Sequence, residues 1–132
     1  MESRRVPEAV DVLAPDGSEI RLLPVVARGS MVHCRLAPGA VTRAVRHRTV
    51  DELWYVLRGR GVLWRARDGA ESEVELLPDT AYAIPVGTSF QFRCTGPEPL
   101  EIVIVTMPPW PGEREAERVP DHWPPRVPGE ER

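Results

Sequence analysis

The chain has 132 residues, is 42% hydrophobic and 28% charged, and carries a net charge of -3 from 17 basic and 20 acidic side chains. That length predicts one domain, able to bury roughly two-thirds of the surface its unfolded form would expose without a covalent staple. The longest aliphatic run, residues 100–107, already contains Glu101 and falls short of the roughly 18 to 20 apolar residues a membrane-spanning helix needs, so no membrane partner is expected.

Every basic side chain is arginine, a lysine-free composition that suggests a GC-rich bacterial coding sequence more than a function. The spacing of Arg58, Arg60, Arg65 and Arg67 is that of the solvent face of a strand, so nucleic acid is not expected as a partner. Cys34 and Cys94 lie far apart without metal-type spacing, and no apolar N-terminal run resembles a signal peptide. Free thiols in a reduced, cytoplasmic protein are expected.

In chain order, residues 1–17 read as an N-terminal arm with a short edge strand over residues 9–14, closed by a turn at Pro15-Asp16-Gly17-Ser18. Two further strands are predicted over residues 18–26 and 30–36, and Pro38-Gly39 turns the chain again. Residues 39–59 then read as strand, short turn near residues 48–51, and strand. A histidine leaving the first of these strands, His47, and a carboxylate entering the second, Glu52, can face one interior because side chains alternate with period two.

Strands over residues 62–67, 72–77, up to Pro85, 89–94 and 100–107 follow, with turn signals every 8 to 12 residues. The pattern argues an all-β sandwich or barrel spanning residues 18–107. Beyond Met107 the composition changes, with seven of the 15 prolines lying between Pro108 and Pro128. This tail, residues 108–132, is expected to lie extended on the barrel, pinned by Trp110 and Trp123, without interior strands and with a disordered PGEER end. His122, beside Trp123, reads as a surface residue.

At this point the residues resemble a family. Gly39, five residues, Val45-Arg46-His47, four residues, Glu52, six residues and Gly59 reproduce the spacing of the first cupin motif. Asp79, five residues, Pro85-Val86-Gly87, two residues, Phe90, three residues and Cys94 reproduce that of the second. The resemblance implies a double-stranded β-helix, or jelly-roll barrel, commonly a homodimer, with a metal held inside by three histidines and a glutamate. The matching positions here are Val45, His47, Glu52 and Phe90, so His47 and Glu52 are the two candidate metal ligands retained. Two ligands fall short of the three that catalytic zinc or non-haem iron sites use, so zinc, iron, manganese or nickel is expected to be held weakly or not at all. His33 and Cys94 are candidates by type to complete the shell; the alternatives are a hydrogen-bonded strand histidine and a buried apolar filler.

With Val45, Phe90, Phe92 and Trp54 pointing inward, the barrel interior is apolar and aromatic, and His47 and Glu52 are its polar groups. Trp54, Phe90 and Phe92 are the candidate ligand-binding or cofactor-binding residues of a small-molecule pocket, unless they simply fill the barrel. Three functions stay open. The first is an isomerase, lyase, cyclase or oxygenase with His47 and Glu52 as its catalytic acid/base pair, a carboxylate hydrogen-bonded to imidazole being expected to raise the ring's pKa. The second is a non-catalytic small-ligand binding or sensing module, and the third a structural dimer with a closed barrel.

Overall fold

A computed structural model describes residues 1–128 of the chain as two antiparallel sheets packed face to face, with one 3-10 turn and no α-helix among them. The larger sheet contains β1 (Val12–Leu13), β2 (Glu19–Val26), β3 (Gly29–Leu36), β5 (Asp51–Arg58), β8 (Ala81–Ile84) and β10 (Leu100–Met107), in the order β1-β2-β3-β10-β5-β8. The smaller contains β4 (Val45–His47), β6 (Gly61–Arg67), β7 (Ala70–Leu76), β9 (Ser89–Cys94) and β11 (Ala116–Arg118), in the order β11-β4-β9-β6-β7. This is the all-β jelly-roll barrel that the strand pattern and the paired motifs imply. No helix of the described residues is long and apolar enough to cross a membrane.

Period-two alternation decides what faces inward. In β5, Glu52, Trp54 and Val56 are buried while Leu53, Tyr55 and Leu57 are exposed. In β10, Leu100, Ile102, Ile104 and Thr106 are buried and their neighbours are half-covered. Trp54, Phe90, Phe92, Leu63 and Ile102 form one core between the sheets.

Turn chemistry matches the connections. Asp68 (φ 51°) and Gly69 (φ 81°) join β6 to β7 with both central residues left-handed, as a two-residue I′ hairpin requires. Gly59 (φ 87°) is needed twice over, because a Cβ there would also lie 2.4 Å from the Pro99 carbonyl oxygen. Asp79 stands where the second motif has glycine and adopts φ 60°, a conformation aspartate tolerates; its Oδ1 accepts the Tyr55 hydroxyl at 3.0 Å. Pro24, which has no N–H, sits where the β2–β3 register slips between Leu22 and Val25.

Two expectations change in detail. The strand read over residues 9–14 shrinks to Val12–Leu13, since only those two residues find ladder partners on β2. The tail does more than lie on the barrel: it adds β11 as an edge strand beside β4. Trp123 packs against the tail's neighbours, with the Arg93 guanidinium 4.5 Å from its ring centre. Trp110 turns into the interior. His122 stacks flat on Trp64 at 4.8 Å and contacts Glu73 at 2.8 Å, so it is a clasp between tail and barrel. Of the PGEER end expected to be disordered, Pro128 is described, its carbonyl accepting an Arg43 guanidinium N–H at 2.6 Å, and residues 129–132 lie outside the described residues.

Candidate functional site

His47 ends β4 in the smaller sheet and Glu52 follows Asp51 at the start of β5 in the larger, so the bend over residues 48–50 carries the chain across the barrel's mouth. The second motif's turn holds that bend from one side. Val86 N–H donates to Asp51 Oδ1 at 2.8 Å, and Gly87 N–H donates to the His47 carbonyl at 3.2 Å. From the other side comes Glu115, in the 3-10 turn of the tail (Glu113–Glu115). Its carboxylate accepts Thr49 N–H and Thr49 Oγ1–H, both at 2.6 Å, and Val50 N–H at 3.0 Å, while its carbonyl accepts Arg48 N–H.

The bend thereby brings His47 and Glu52 together, each only 6% exposed. His47 Nδ1 lies 3.6 Å from Glu52 Oε2, too long for a hydrogen bond, and has no other partner. Glu52 Oε1 instead accepts the Trp54 indole N–H at 2.9 Å, the two side chains sharing one face of β5. Phe90 and Trp110 meet the imidazole edge-on, each with a ring-centre distance of 5.1 Å. Trp54 in turn packs edge-on against Phe90 and Phe92.

In front of the pair lies a cavity of about 550 Å³. Trp54, Phe90, Val45 and Ile104 wall its inner end, Trp110 and Ala116 of the tail close one side, and Leu22, Val25 and Met31, all exposed, mark where it reaches solvent. Phe92 is not among the lining residues: its ring lies behind Trp54, in the core. Trp110, Asp16 and Glu113 line the cavity but were not singled out as site residues from the sequence. Glu115 was invisible to pattern reading, because an acid in a charged, Pro-rich tail looks like its neighbours Glu113 and Glu117.

Burial, not pairing, governs the electrostatics of the pair. Desolvation pushes His47 down to about 4, only partly opposed by the Glu115 charge. Desolvation pushes Glu52 up to about 8 despite the Trp54 hydrogen bond. The expectation that the carboxylate would raise the imidazole pKa is therefore reversed: without a hydrogen bond between them, near neutral pH both groups are uncharged, His47 a potential base and Glu52 a potential acid.

This makes a pH prediction. Glu52 keeps in the folded state a proton that the unfolded chain releases above its ordinary value of 4.5, so it weakens stability as pH rises towards about 8. His47 binds its proton more readily when unfolded, so between about 4 and 6.5 it strengthens stability as pH rises. The two oppose each other up to about 6.5, and above that Glu52 acts without this counterweight. Stability is expected to fall from pH 6.5 to 8 by up to ~1.4 kcal/mol per pH unit for one proton. Asp16, also raised by burial, weakens stability in the same sense as pH rises above its unfolded value. Urea midpoints across this range should show a shallower decline in Glu52→Gln; an unchanged slope would refute the assignment.

A family model described as a cupin domain matches residues 32–106, from within β3 to near the end of β10. The chain belongs to the cupin family. This cupin is 33% identical over 106 residues to an uncharacterised protein of Methanocaldococcus jannaschii, a match covering 76% of this chain and 82% of that one. It is similar to a solved Bacillus halodurans protein at 25% identity and a TM-score of 0.65, covering 71% of this chain and 73% of that one. It shares its fold with oxalate decarboxylase of B. subtilis at a TM-score of 0.73 and 17% identity, over 90% of this chain and 33% of that one.

The metal that the motif spacing implies does not fit the side chains present. Val45 and Phe90 are buried cross-strand partners, putting hydrocarbon at two of the four ligand positions. Neither alternative donor reaches the site. His33 Nε2 bonds Glu101 at 2.9 Å, and Cys94 Sγ donates to the Glu98 carbonyl at 3.2 Å; neither residue lines the cavity. Among the described residues, no group of three or more His, Cys, Asp or Glu could hold a metal ion.

Proposed function

We propose that this cupin binds a small, largely apolar molecule in its barrel and uses His47 and Glu52 to hold the molecule's polar group. One observation carries the reading: a cavity of about 550 Å³ with apolar and aromatic walls is lined by His47, whose buried Nδ1 has no partner. A buried polar atom left unsatisfied costs about 1–3 kcal/mol, which a ligand's polar group would offset. Cavities of this size and composition suit drug-sized or smaller molecules. A structural dimer with a closed barrel accounts for neither feature.

A panel of apolar small molecules, followed by the fluorescence of Trp54 and Trp110 and by thermal shift, tests this. Binders are expected for the parent protein and not for Val32→Trp, which fills the cavity from β3. Equal binding to a Val32→Trp variant shown to be folded by circular dichroism would place the ligand elsewhere and refute the reading.

The opposite displacement of the two pKa values favours a second reading, proton transfer on the bound molecule. A neutral His47 can accept a proton and an un-ionised Glu52 can donate one, a pairing worth typically 10²- to 10⁴-fold in rate. Given a turned-over ligand, His47→Gln and Glu52→Gln are expected to bind it yet lose turnover by about that factor. Full turnover in either folded variant would leave binding alone. Neither reading calls on a metal: zinc, iron, manganese or nickel acquired during preparation is expected to leave on dialysis against a mild chelator, and stoichiometric retention would contradict this.

A further inference from the structure

The charge pattern of the cavity selects among ligands. Three carboxyl side chains line it, Asp16, Glu52 and Glu113, and among the described residues no arginine does, although the chain carries 17. Three guanidiniums that neighbour lining residues in sequence are engaged elsewhere. Arg21 donates to the Pro7 and Glu8 carbonyls, and Arg46 and Arg48 reach Glu117. An anion entering here would leave water for apolar walls, gain no cationic partner and approach carboxyl groups.

His47 supplies an independent pointer. Its ring is 6% exposed, lines the same cavity, and leaves Nδ1 without a hydrogen bond. Nδ1 and Glu52 Oε2 lie 3.6 Å apart, so one donor atom can be within hydrogen-bond distance of both. Trp54, Phe90 and Trp110 line the same cavity, the latter two with ring centres 5.1 Å from that of His47, and aromatic faces attract cations.

We propose that the ligand is an organic amine, bound as its ammonium ion, with Glu52 and His47 accepting its N–H groups and its apolar body lying along the cavity walls. This rests on the small-molecule reading above. An ammonium ion brings a positive charge among carboxyl groups and an N–H donor. A ligand carboxylate or phosphate would bring neither. Glu52, un-ionised in the empty site, releases its proton to solvent as the cation enters, because a positive charge beside a carboxyl group favours its ionised form.

Three probes with one hydrocarbon skeleton separate the possibilities: 4-phenylbutylamine, 4-phenylbutanol and 4-phenylbutyrate, titrated into the intact chain by calorimetry at neutral pH. The amine is expected to bind at least about tenfold more tightly than the alcohol, with the carboxylate weakest. In Glu52→Gln the amine should lose at least about tenfold while the alcohol changes by less than about threefold. Alcohol or carboxylate binding as tightly as the amine, displaced in Val32→Trp, would overturn the amine assignment and leave the small-molecule reading standing. Amine affinity unchanged in Glu52→Gln would also overturn it. No measurable binding of any of the three would count against both.

Discussion

Trp54→Ala is expected to destabilise the protein by about 3–5 kcal/mol, the range for removing a large aromatic from a packed core. Trp54 is 2% exposed and packs edge-on against Phe90 and Phe92, so the space it leaves is bordered by rigid rings and two sheets that cannot readily collapse. The substitution also removes the indole N–H that Glu52 Oε1 accepts, stranding a buried carboxyl group. Thermal or urea unfolding of the purified variant measures the loss. Trp54→Phe should recover most of the packing but not the hydrogen bond, and so fall between the two. A loss below about 1 kcal/mol for the alanine variant would mean that the site is loosely packed.

Glu115→Ala is expected to cost about 2–5 kcal/mol, because it leaves Thr49 N–H, Thr49 Oγ1–H and Val50 N–H without their acceptor. These groups shape the bend between His47 and Glu52, so the same variant should weaken ligand binding in the cavity. Burial by itself would raise the Glu115 pKa, but the hydrogen bonds from Thr49 and Val50 outweigh it and hold the carboxyl below its ordinary value. A depressed folded-state pKa stabilises above the unfolded value of about 4.5, and that stabilisation is lost as pH falls through the folded one. Urea midpoints of Glu115→Gln and the parent should therefore differ most near neutral pH and converge in acid. A constant gap across that range would show that the Glu115 charge contributes nothing.

These variants probe contacts of different legibility. Trp54 and Glu52 could be placed on one inward face from sequence, since residues two apart on a strand point the same way. The spacing of Gly39, His47, Glu52 and Gly59 likewise implied that imidazole and carboxylate meet. Their distance and charge state could not be read there. Whether an imidazole beside a carboxylate gains or loses a proton depends on a hydrogen bond of under about 3.2 Å against the extent of burial, and neither is a local property.

The positions of the strands along the chain, their turn chemistry and the inward face of each follow from the sequence by itself, because alternation, glycine and proline act over two to four residues. Those short-range rules pointed to an all-β sandwich or barrel; the jelly roll, and the reading of Val45 and Phe90 as lost ligand positions, came from the resemblance of the two motifs to cupins. Only the tertiary structure decided that the tail becomes part of the site. Trp110 N–H donates to Ser30 Oγ at 3.0 Å, 80 positions away, and Glu115 reaches Thr49 across 66. Contacts at such separations depend on how the whole chain closes, and a charged, Pro-rich segment has no periodicity to announce which of its side chains will be buried.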